Sequence, residues 1–77
     1  MNDLQTRGLA IVAEISERPA AELEARHELV GDLGIDSPKA LQMLLRLEDE
    51  LKIEISDEEA ARLDTVGDVL AFLERQG

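Results

Sequence analysis

The sequence of 77 residues contains no cysteine, tryptophan or tyrosine, and Phe72 is its only aromatic residue. Without cysteine the chain can form no disulfide, no thiolate zinc site and no cysteine nucleophile. No apolar run approaches the roughly 20 residues that cross a bilayer, and no basic segment followed by an apolar one opens the chain. We therefore expect a cytoplasmic protein that does not insert into membranes.

Positively charged residues are also scarce. The chain has 8 basic residues against 18 acidic ones, which gives a formal net charge of −10. Such an excess repels the phosphates of nucleic acids and of anionic lipids, so both are excluded as partners. The length fits one domain, residues 1–77, whose small core cannot enclose a deep catalytic pocket. We expect a monomeric, non-enzymatic domain that binds a partner or carries a group.

The hydrophobic residues make up 44% of the chain and recur at helical spacing. They predict an all-α fold, a small bundle of three main helices plus one short helix, with a long first loop. The first helix begins at Asn2 or Asp3, where Gln5 completes a capping box. It ends near Ile15–Glu17, because the residue before Pro19 avoids the helical conformation.

Residues 18–36 form the least regular segment of the sequence. Ala20–His27 is expected to contain a helical turn or two, and Gly31 and Gly34 punctuate the remainder. Long loops in compact domains are usually functional. We therefore predict an anchored, functional loop whose apolar side chains reach the core: Leu23, Leu29, Leu33 and Ile35.

Ser37 and Pro38 mark the start of the second helix, which is predicted to run to Leu51. Serine is a favoured N-cap, and proline loses nothing at the first helical position. The apolar face is predicted to comprise Ala40, Leu41, Met43, Leu44, Leu47 and Leu51. The opposite, solvent-exposed face is predicted to comprise Lys39, Gln42, Arg46 and Asp49.

Beyond the second helix, Lys52–Ile55 alternates like a strand but has no partner strand, so we expect a connector. Ser56–Glu59 forms a full capping box that opens a short third helix, ending near residues 62–63. Thr65 and Asp68 carry a weaker form of the same signal at the start of the fourth helix.

Motifs for nucleotide and metal binding are absent or incomplete. The sequence has no phosphate-binding glycine loop and no dinucleotide-binding glycine fingerprint. Asp32, Gly34 and Asp36 have the spacing of the first residues of a calcium-binding loop. Such a loop requires a glycine at its turn and a bidentate glutamate at its end, and this sequence has Ser37 and Met43 at those positions. We therefore predict no metal site.

Ser37 nevertheless occupies an unusual position, directly after Asp36 and at the start of an amphipathic helix. A catalytic triad with His27 and Asp32 is ruled out because the chain is too short for an oxyanion hole and a substrate cleft. We predict no catalytic residue and expect His27 to be an exposed loop residue. The free N–H groups of a helix start favour an attached phosphate. On this spacing alone, a serine that serves only as a cap remains an open alternative.

Four segments together resemble the acyl carrier protein family over essentially the whole chain: Gly34–Ser37, the helix end Leu47–Leu51, Ile53–Glu59 and Asp64–Val69. The Asp-Ser pair is weak by itself, whereas its combination with the acidic helix end, the Ile-Glu-Ile connector and Thr-Val-Gly-Asp is specific. The resemblance implies a bundle of three main helices and a short one, in agreement with the helical periodicity.

The resemblance also implies a function and a cofactor. Ser37, with its motif neighbour Asp36, is expected to carry 4′-phosphopantetheine, which a phosphopantetheinyl transferase takes from coenzyme A. Acyl groups are then carried as thioesters to enzymes such as a ketosynthase or an acyltransferase, in fatty acid synthesis or in a specialised lipid or polyketide pathway. Two alternatives stay open: an aminoacyl or peptidyl carrier, and a helical interaction module without the prosthetic arm.

Two departures from the family bear on its partners. The residue after the serine is commonly leucine but is Pro38 here, and Lys39, Gln42 and Arg46 replace the acidic residues that usually follow. We hypothesise a dedicated partner set outside bulk fatty acid synthesis, with neutral variation of a solvent-exposed face as the alternative. The predicted partner-binding residues are Pro38, Lys39, Gln42, Arg46, Glu48 and Asp49.

The resemblance further implies that apolar residues between the helices shelter the acyl chain. The predicted lining comprises Met43, Leu44, Leu47, Ile55, Leu63, Val66 and Leu70. A plain hydrophobic core is the alternative interpretation of the same residues, and Met43 is adaptable enough to face a chain.

Overall fold

A computed structural model describes residues 1–77 and contains four α-helices and no strand. The helices are α1 (Asp3–Ser16), α2 (Ser37–Leu51), α3 (Asp57–Ala61) and α4 (Val66–Gln76). One turn of 3-10 helix, Ala20–Glu22, lies in the loop between α1 and α2. The predicted all-α bundle of three main helices and a short one is therefore confirmed. None of its helices is both long and apolar enough to span a membrane.

Three of the four helices begin with a capping box, in which two residues three positions apart satisfy each other's backbone N–H groups. The pairs are Asn2 with Gln5, Ser56 with Glu59, and Thr65 with Asp68. These helix starts lie where the sequence predicts them. Helix α3 ends at Ala61, slightly before the predicted residues 62–63, because Arg62 already takes the C-cap position.

Helix α1 ends where predicted, on a left-handed residue that is not glycine. Glu17 has φ 59 and ψ 39, and its backbone N–H donates to carbonyls of the last turn. The N–H of Arg18 then donates to the carbonyl of Ala13 at 3.0 Å. These bonds use the carbonyls that a helix end leaves free, and Pro19 follows where no further helical turn is possible.

The core lies between α1, α2 and α4, with contributions from the loop before α2. Helix α1 packs against both of the other long helices. The twelve residues of the buried cluster are Ile11, Val12, Leu29, Leu33, Ile35, Met43, Leu47, Leu51, Val66, Val69, Phe72 and Leu73. Gln5 is also buried, and its Nε2 donates to the carbonyl of Leu70 at 3.0 Å, which ties α1 to α4.

The loop before α2 is anchored to the core as predicted. Leu29, Leu33 and Ile35 are buried, while Leu23 is half-buried and packs against the same cluster. The only helical turn in its first half is Ala20–Glu22, which is shorter than the predicted segment.

Backbone hydrogen bonds also tie this loop to the start of α4. The N–H of Leu29 donates to the carbonyl of Asp64 at 2.9 Å, and the N–H of Val66 donates to the carbonyl of His27 at 3.0 Å. His27 is half-buried rather than exposed as predicted, and its Nδ1 accepts a hydrogen bond from the N–H of Glu24 at 3.0 Å. Residues 27–29 of the loop are therefore fixed to the backbone at the start of α4.

Two assignments on the faces of α2 are wrong. Leu41 is 58% exposed, whereas Leu47 is fully buried. At about 100° per residue, Leu41 lies about 120° around the helix from Leu47, outside the buried face. Lys39 and Arg46 are half-buried rather than on the solvent-exposed face, because α1 packs beside them. The predicted connector Lys52–Ile55 is confirmed as irregular backbone.

Candidate functional site

The first turn of α2 is capped by Asp36, so the prediction that Ser37 is the cap is wrong by one residue. The carboxylate of Asp36 accepts a hydrogen bond from the N–H of Lys39 at 3.1 Å, and its backbone is extended. Aspartate caps a helix as well as serine does. Ser37 is therefore the first helical residue and Pro38 the second, where the missing N–H of proline leaves no donor unsatisfied.

Ser37 is exposed at the junction between the first loop and α2, and the backbone just before it is anchored to the core. Ile35, two residues earlier, is 1% exposed, and its N–H donates to the carbonyl of Leu29 at 2.9 Å. Gly34 has a φ of +67, and apart from its chain neighbours no residue has an atom within 4 Å of the place where a Cβ would stand. This left-handed conformation, which glycine adopts without steric cost, lies three residues before Ser37.

The electrostatics of this corner suit a phosphate ester on the Ser37 hydroxyl. The first turn of α2 contains no acidic side chain, and the one adjacent carboxylate, on Asp36, is directed to the N–H of Lys39. The positive end of the helix dipole therefore lies next to the hydroxyl. A group attached through a phosphodiester fits the residues present.

The residues of the conceivable triad are not brought together with Ser37. His27 Nδ1 accepts from the N–H of Glu24, and Asp32 Oδ2 accepts from the N–H of Glu28 at 2.7 Å. Both side chains thus stabilise the loop backbone. No general base is hydrogen-bonded to Ser37, which would be needed to activate it as a nucleophile.

Three of the predicted partner-binding residues, Pro38, Gln42 and Asp49, are exposed. Glu48 is half-buried, and its carboxylate accepts a hydrogen bond from the N–H of Ile55 at 3.1 Å. Glu48 thereby fastens the connector after α2, which is a structural contact that the sequence pattern did not reveal.

Lys39 and Arg46, the other two members of that set, form ion pairs within the protein. Lys39 Nζ lies 3.6 Å from Glu17, the C-cap residue of α1. Arg46 lies 2.8 Å from Glu14 of α1 and 2.7 Å from Glu50 one turn along α2. Hydrogen bonds to Glu50 and Glu14 hold the pKa of Arg46 above its ordinary value, and the bond from Arg46 lowers the pKa of Glu50.

Leu41 and Leu45 are exposed apolar residues on α2 that the sequence analysis did not assign to the surface. They are 58% and 56% exposed, among the most exposed large hydrophobic side chains of the protein. Their angular distance from Met43 and Leu47 on a helical wheel was the available signal. Together with Pro38 they give the α2 surface near Ser37 an apolar character.

The residues predicted to line an acyl-chain site divide into two groups. Met43, Leu47 and Val66 are buried in the closed core. The other four are half-buried and pack against the core from its edge: Leu44, Ile55, Leu63 and Leu70. The three surface clefts are lined mainly by polar residues and include only Leu63 and Ile55 of the predicted set.

The fold and the exposed serine are those of a small helical carrier domain, in which a group is attached to a side chain instead of being bound in a pocket. The family model described as "Phosphopantetheine attachment site" matches residues 9–73. An acyl carrier protein of Exiguobacterium sp. is 43% identical over 63 residues, covering 82% of this chain and 80% of the relative. One from Helicobacter pylori is 38% identical over 65 residues, covering 84% and 83%.

Solved structures agree with these matches. A Mycobacterium tuberculosis protein proposed to be an acyl carrier protein superposes with a TM-score of 0.85 at 34% identity, covering 96% of this chain and 99% of that one. The acyl carrier protein of Enterococcus faecalis superposes with a TM-score of 0.80 at 27% identity, covering 97% and 95%. The chain belongs to the acyl carrier protein family. It is a non-enzymatic carrier whose cofactor is covalently attached 4′-phosphopantetheine.

Proposed function

We propose that Ser37 is the attachment point of 4′-phosphopantetheine and that the chain carries acyl intermediates as thioesters on this arm. One observation supports Ser37 above every other hydroxyl residue. The hydroxyl of Thr6 donates to the carbonyl of Asn2, and that of Ser16 donates to the carbonyl of Ala13. The hydroxyls of Ser56 and Thr65 accept from the helices that they cap. Ser37 is the remaining hydroxyl residue of the chain, and its oxygen is exposed and free of intramolecular hydrogen bonds.

The protein's own residues hold and orient the arm. Ile35 and the cap made by Asp36 fix the backbone of Ser37, and the helix dipole of α2 stabilises the negative phosphate. The cofactor supplies the thiol that forms the thioester. Since the chain has no cysteine, no protein thiol competes for the acyl group.

Partner enzymes must approach the surface around Ser37 to reach the arm. We propose as partners a phosphopantetheinyl transferase and acyl-loading or acyl-processing enzymes such as a ketosynthase or an acyltransferase, working in the cytoplasm. They belong to fatty acid synthesis or to a specialised lipid or polyketide pathway. The exposed side chains of Pro38, Gln42 and Asp49 support a contact at α2.

We further propose that the half-buried residues at the core edge move apart to shelter an attached acyl chain. They bury only part of their surface, so parting them costs less hydrophobic free energy than opening the closed core. Met43, Leu47 and Val66 lie immediately beneath this edge in the closed core and would form the floor of such a site.

The modification itself tests the function. The protein is incubated with coenzyme A, magnesium and a broad-specificity phosphopantetheinyl transferase, and its intact mass is measured. The wild-type protein should gain one phosphopantetheine, Ser37→Ala should gain none, and Ser56→Ala, at another exposed serine, should gain it normally. No gain in the wild type, or an undiminished gain in Ser37→Ala, would refute the proposal.

A further inference from the structure

Two acidic residues near the end of α1 bind the two basic residues of α2 that lie nearest Ser37 in the sequence. Glu17 pairs with Lys39 at 3.6 Å, and Glu14 pairs with Nη2 of Arg46 at 2.8 Å. Glu50, on α2 itself, binds Nε of the same guanidinium at 2.7 Å. Both basic side chains are thereby drawn toward the contact between α1 and α2.

The rest of α2 beside Ser37 carries no charge on its exposed side. We call this surface the α2 front and define it as Pro38, Leu41, Gln42 and Leu45, all of which are exposed. The next exposed charge along the helix is on Asp49, at its far end. In a protein of net charge −10, an uncharged and largely apolar strip next to the modified residue is a local exception.

We propose that Glu14 and Glu17 determine which enzymes can bind beside Ser37, because they pair with Lys39 and, together with Glu50, with Arg46, and so hold both cations on the α1 side of the helix and away from the α2 front. This inference rests on the proposed attachment at Ser37. The partner that fits is an enzyme with an uncharged, apolar surface next to the active site that receives the arm. Glu14 and Glu17 are positioning residues, since they act through Lys39 and Arg46.

The physical basis is the cost of desolvating a charge at an apolar contact. A partner that reaches the Ser37 hydroxyl must cover the α2 front and remove its water. An ammonium or guanidinium group without a carboxylate partner at the edge of that contact loses hydration with no compensating bond. The same group already paired with a glutamate loses less. The net charge of the whole protein acts at longer range and influences the rate of encounter.

The test compares rates of Ser37 modification by a broad-specificity phosphopantetheinyl transferase at low ionic strength. The double variant Glu14→Gln/Glu17→Gln removes the two α1 carboxylates. The matched control Glu22→Gln/Glu54→Gln makes the same change in net charge at exposed carboxylates without ion pairs. All rates are recorded at a temperature where circular dichroism shows every variant to be folded.

We expect kcat/KM of the α1 variant to be about two- to fivefold below that of the control, the range set by one or two exposed ion pairs. In the α1 variant Lys39 has no carboxylate partner and Arg46 keeps only Glu50. Adding Lys39→Gln and Arg46→Gln removes both cations, restores the original net charge and should restore the wild-type rate. Equal rates in the α1 variant and the control, or no recovery in the fourfold variant, would overturn the inference.

A second pair of variants tests the α2 front without disturbing any ion pair. Leu45→Gln should lower kcat/KM by about fivefold. A partner that covers this half-exposed leucine gains about half of the free energy of burying a whole leucine side chain, and the glutamine variant forfeits that gain. Val30→Gln, at a residue that lines a separate cleft with Leu63, should change it by less than about twofold. An unchanged rate in Leu45→Gln would count against an apolar contact. Failure of the wild type to be modified would instead refute the attachment at Ser37.

Discussion

Gly8 lies where α1 crosses α4, and its missing side chain sets how closely the helices approach. A Cβ at this position would overlap Cδ1 of Leu73 and lie 3.6 Å from Cδ2 of Leu47. Both leucines are fully buried, so neither can swing into solvent. The absence of one carbon atom therefore allows Leu73 of α4 to pack directly against the backbone of α1.

Gly8→Ala should destabilise the protein even though alanine is the better helix former. The overlap with Leu73 costs about 1–3 kcal/mol as overpacking, against a gain of about 1 kcal/mol in helix propensity. We expect a net loss of about 1 kcal/mol in the free energy of unfolding, measured by urea denaturation. In a Leu73→Ala background, where the overlap is gone, the same substitution should be neutral or stabilising. A loss of equal size in both backgrounds would contradict this explanation.

The start of helix α4 is organised by the carboxylate of Asp68 together with the hydroxyl of Thr65. Asp68 Oδ2 accepts the backbone N–H groups of Asp64 and Thr65, each at 3.0 Å, while Thr65 Oγ1 accepts the N–H of Asp68. The bond from Asp64 is the main reason that the pKa of Asp68 lies below its ordinary value, with the bonds from Thr65 adding to it. The same carboxylate thus organises the turn from α3 into α4.

Asp68→Asn should lower the free energy of unfolding by about 1 kcal/mol at neutral pH, because hydrogen bonds to a charged carboxylate are replaced by weaker ones to a neutral amide. Because the pKa of Asp68 is lower in the folded state, its carboxylate stabilises the fold above the unfolded pKa. That contribution disappears as the pH falls through the folded pKa. Urea denaturation at stepwise lower pH should therefore show the wild type and the variant converging in acid. A constant difference at every pH would show that the charge of Asp68 plays no part.

Acidic residues are densest between the end of α2 and the start of α3. Seven of them crowd the end of α2, the connector and α3: Glu48, Asp49, Glu50, Glu54, Asp57, Glu58 and Glu59. Glu50 alone among these seven forms an ion pair. No group of carboxylates in the protein has the arrangement of a metal site. The repulsion among them is therefore a distributed effect that mobile ions can screen.

Raising the ionic strength, or adding millimolar divalent cations, should raise the melting temperature of the protein. Sodium chloride alone should act in the same direction as magnesium, because screening requires no specific site. A Glu54→Gln/Glu58→Gln variant, with less repulsion to screen, should show a smaller salt-dependent rise. A melting temperature that does not change between low and moderate salt would contradict the prediction.

The starts of the helices and the position of Ser37 could be predicted from the sequence, because local contacts decide them. A capping box joins residues three positions apart, so its pattern is visible before anything packs. The displaced cap at Asp36 shows the limit of such reasoning, since two adjacent residues were both good caps and the geometry of one turn selected between them. The half-buried state of His27 likewise follows from the folded loop, whose backbone pairs with the start of α4 at this residue.

The surface that surrounds Ser37 was decided only by the tertiary structure. Glu14 and Arg46 are 32 residues apart in the chain, and their pairing exists because α1 packs beside α2. The same packing leaves Leu41 exposed and draws Lys39 away from the α2 front. The sequence by itself therefore determined the helices, the family and the candidate serine, through contacts between near neighbours. Contacts between distant residues determined which charges a partner meets, because only folding brings those residues together.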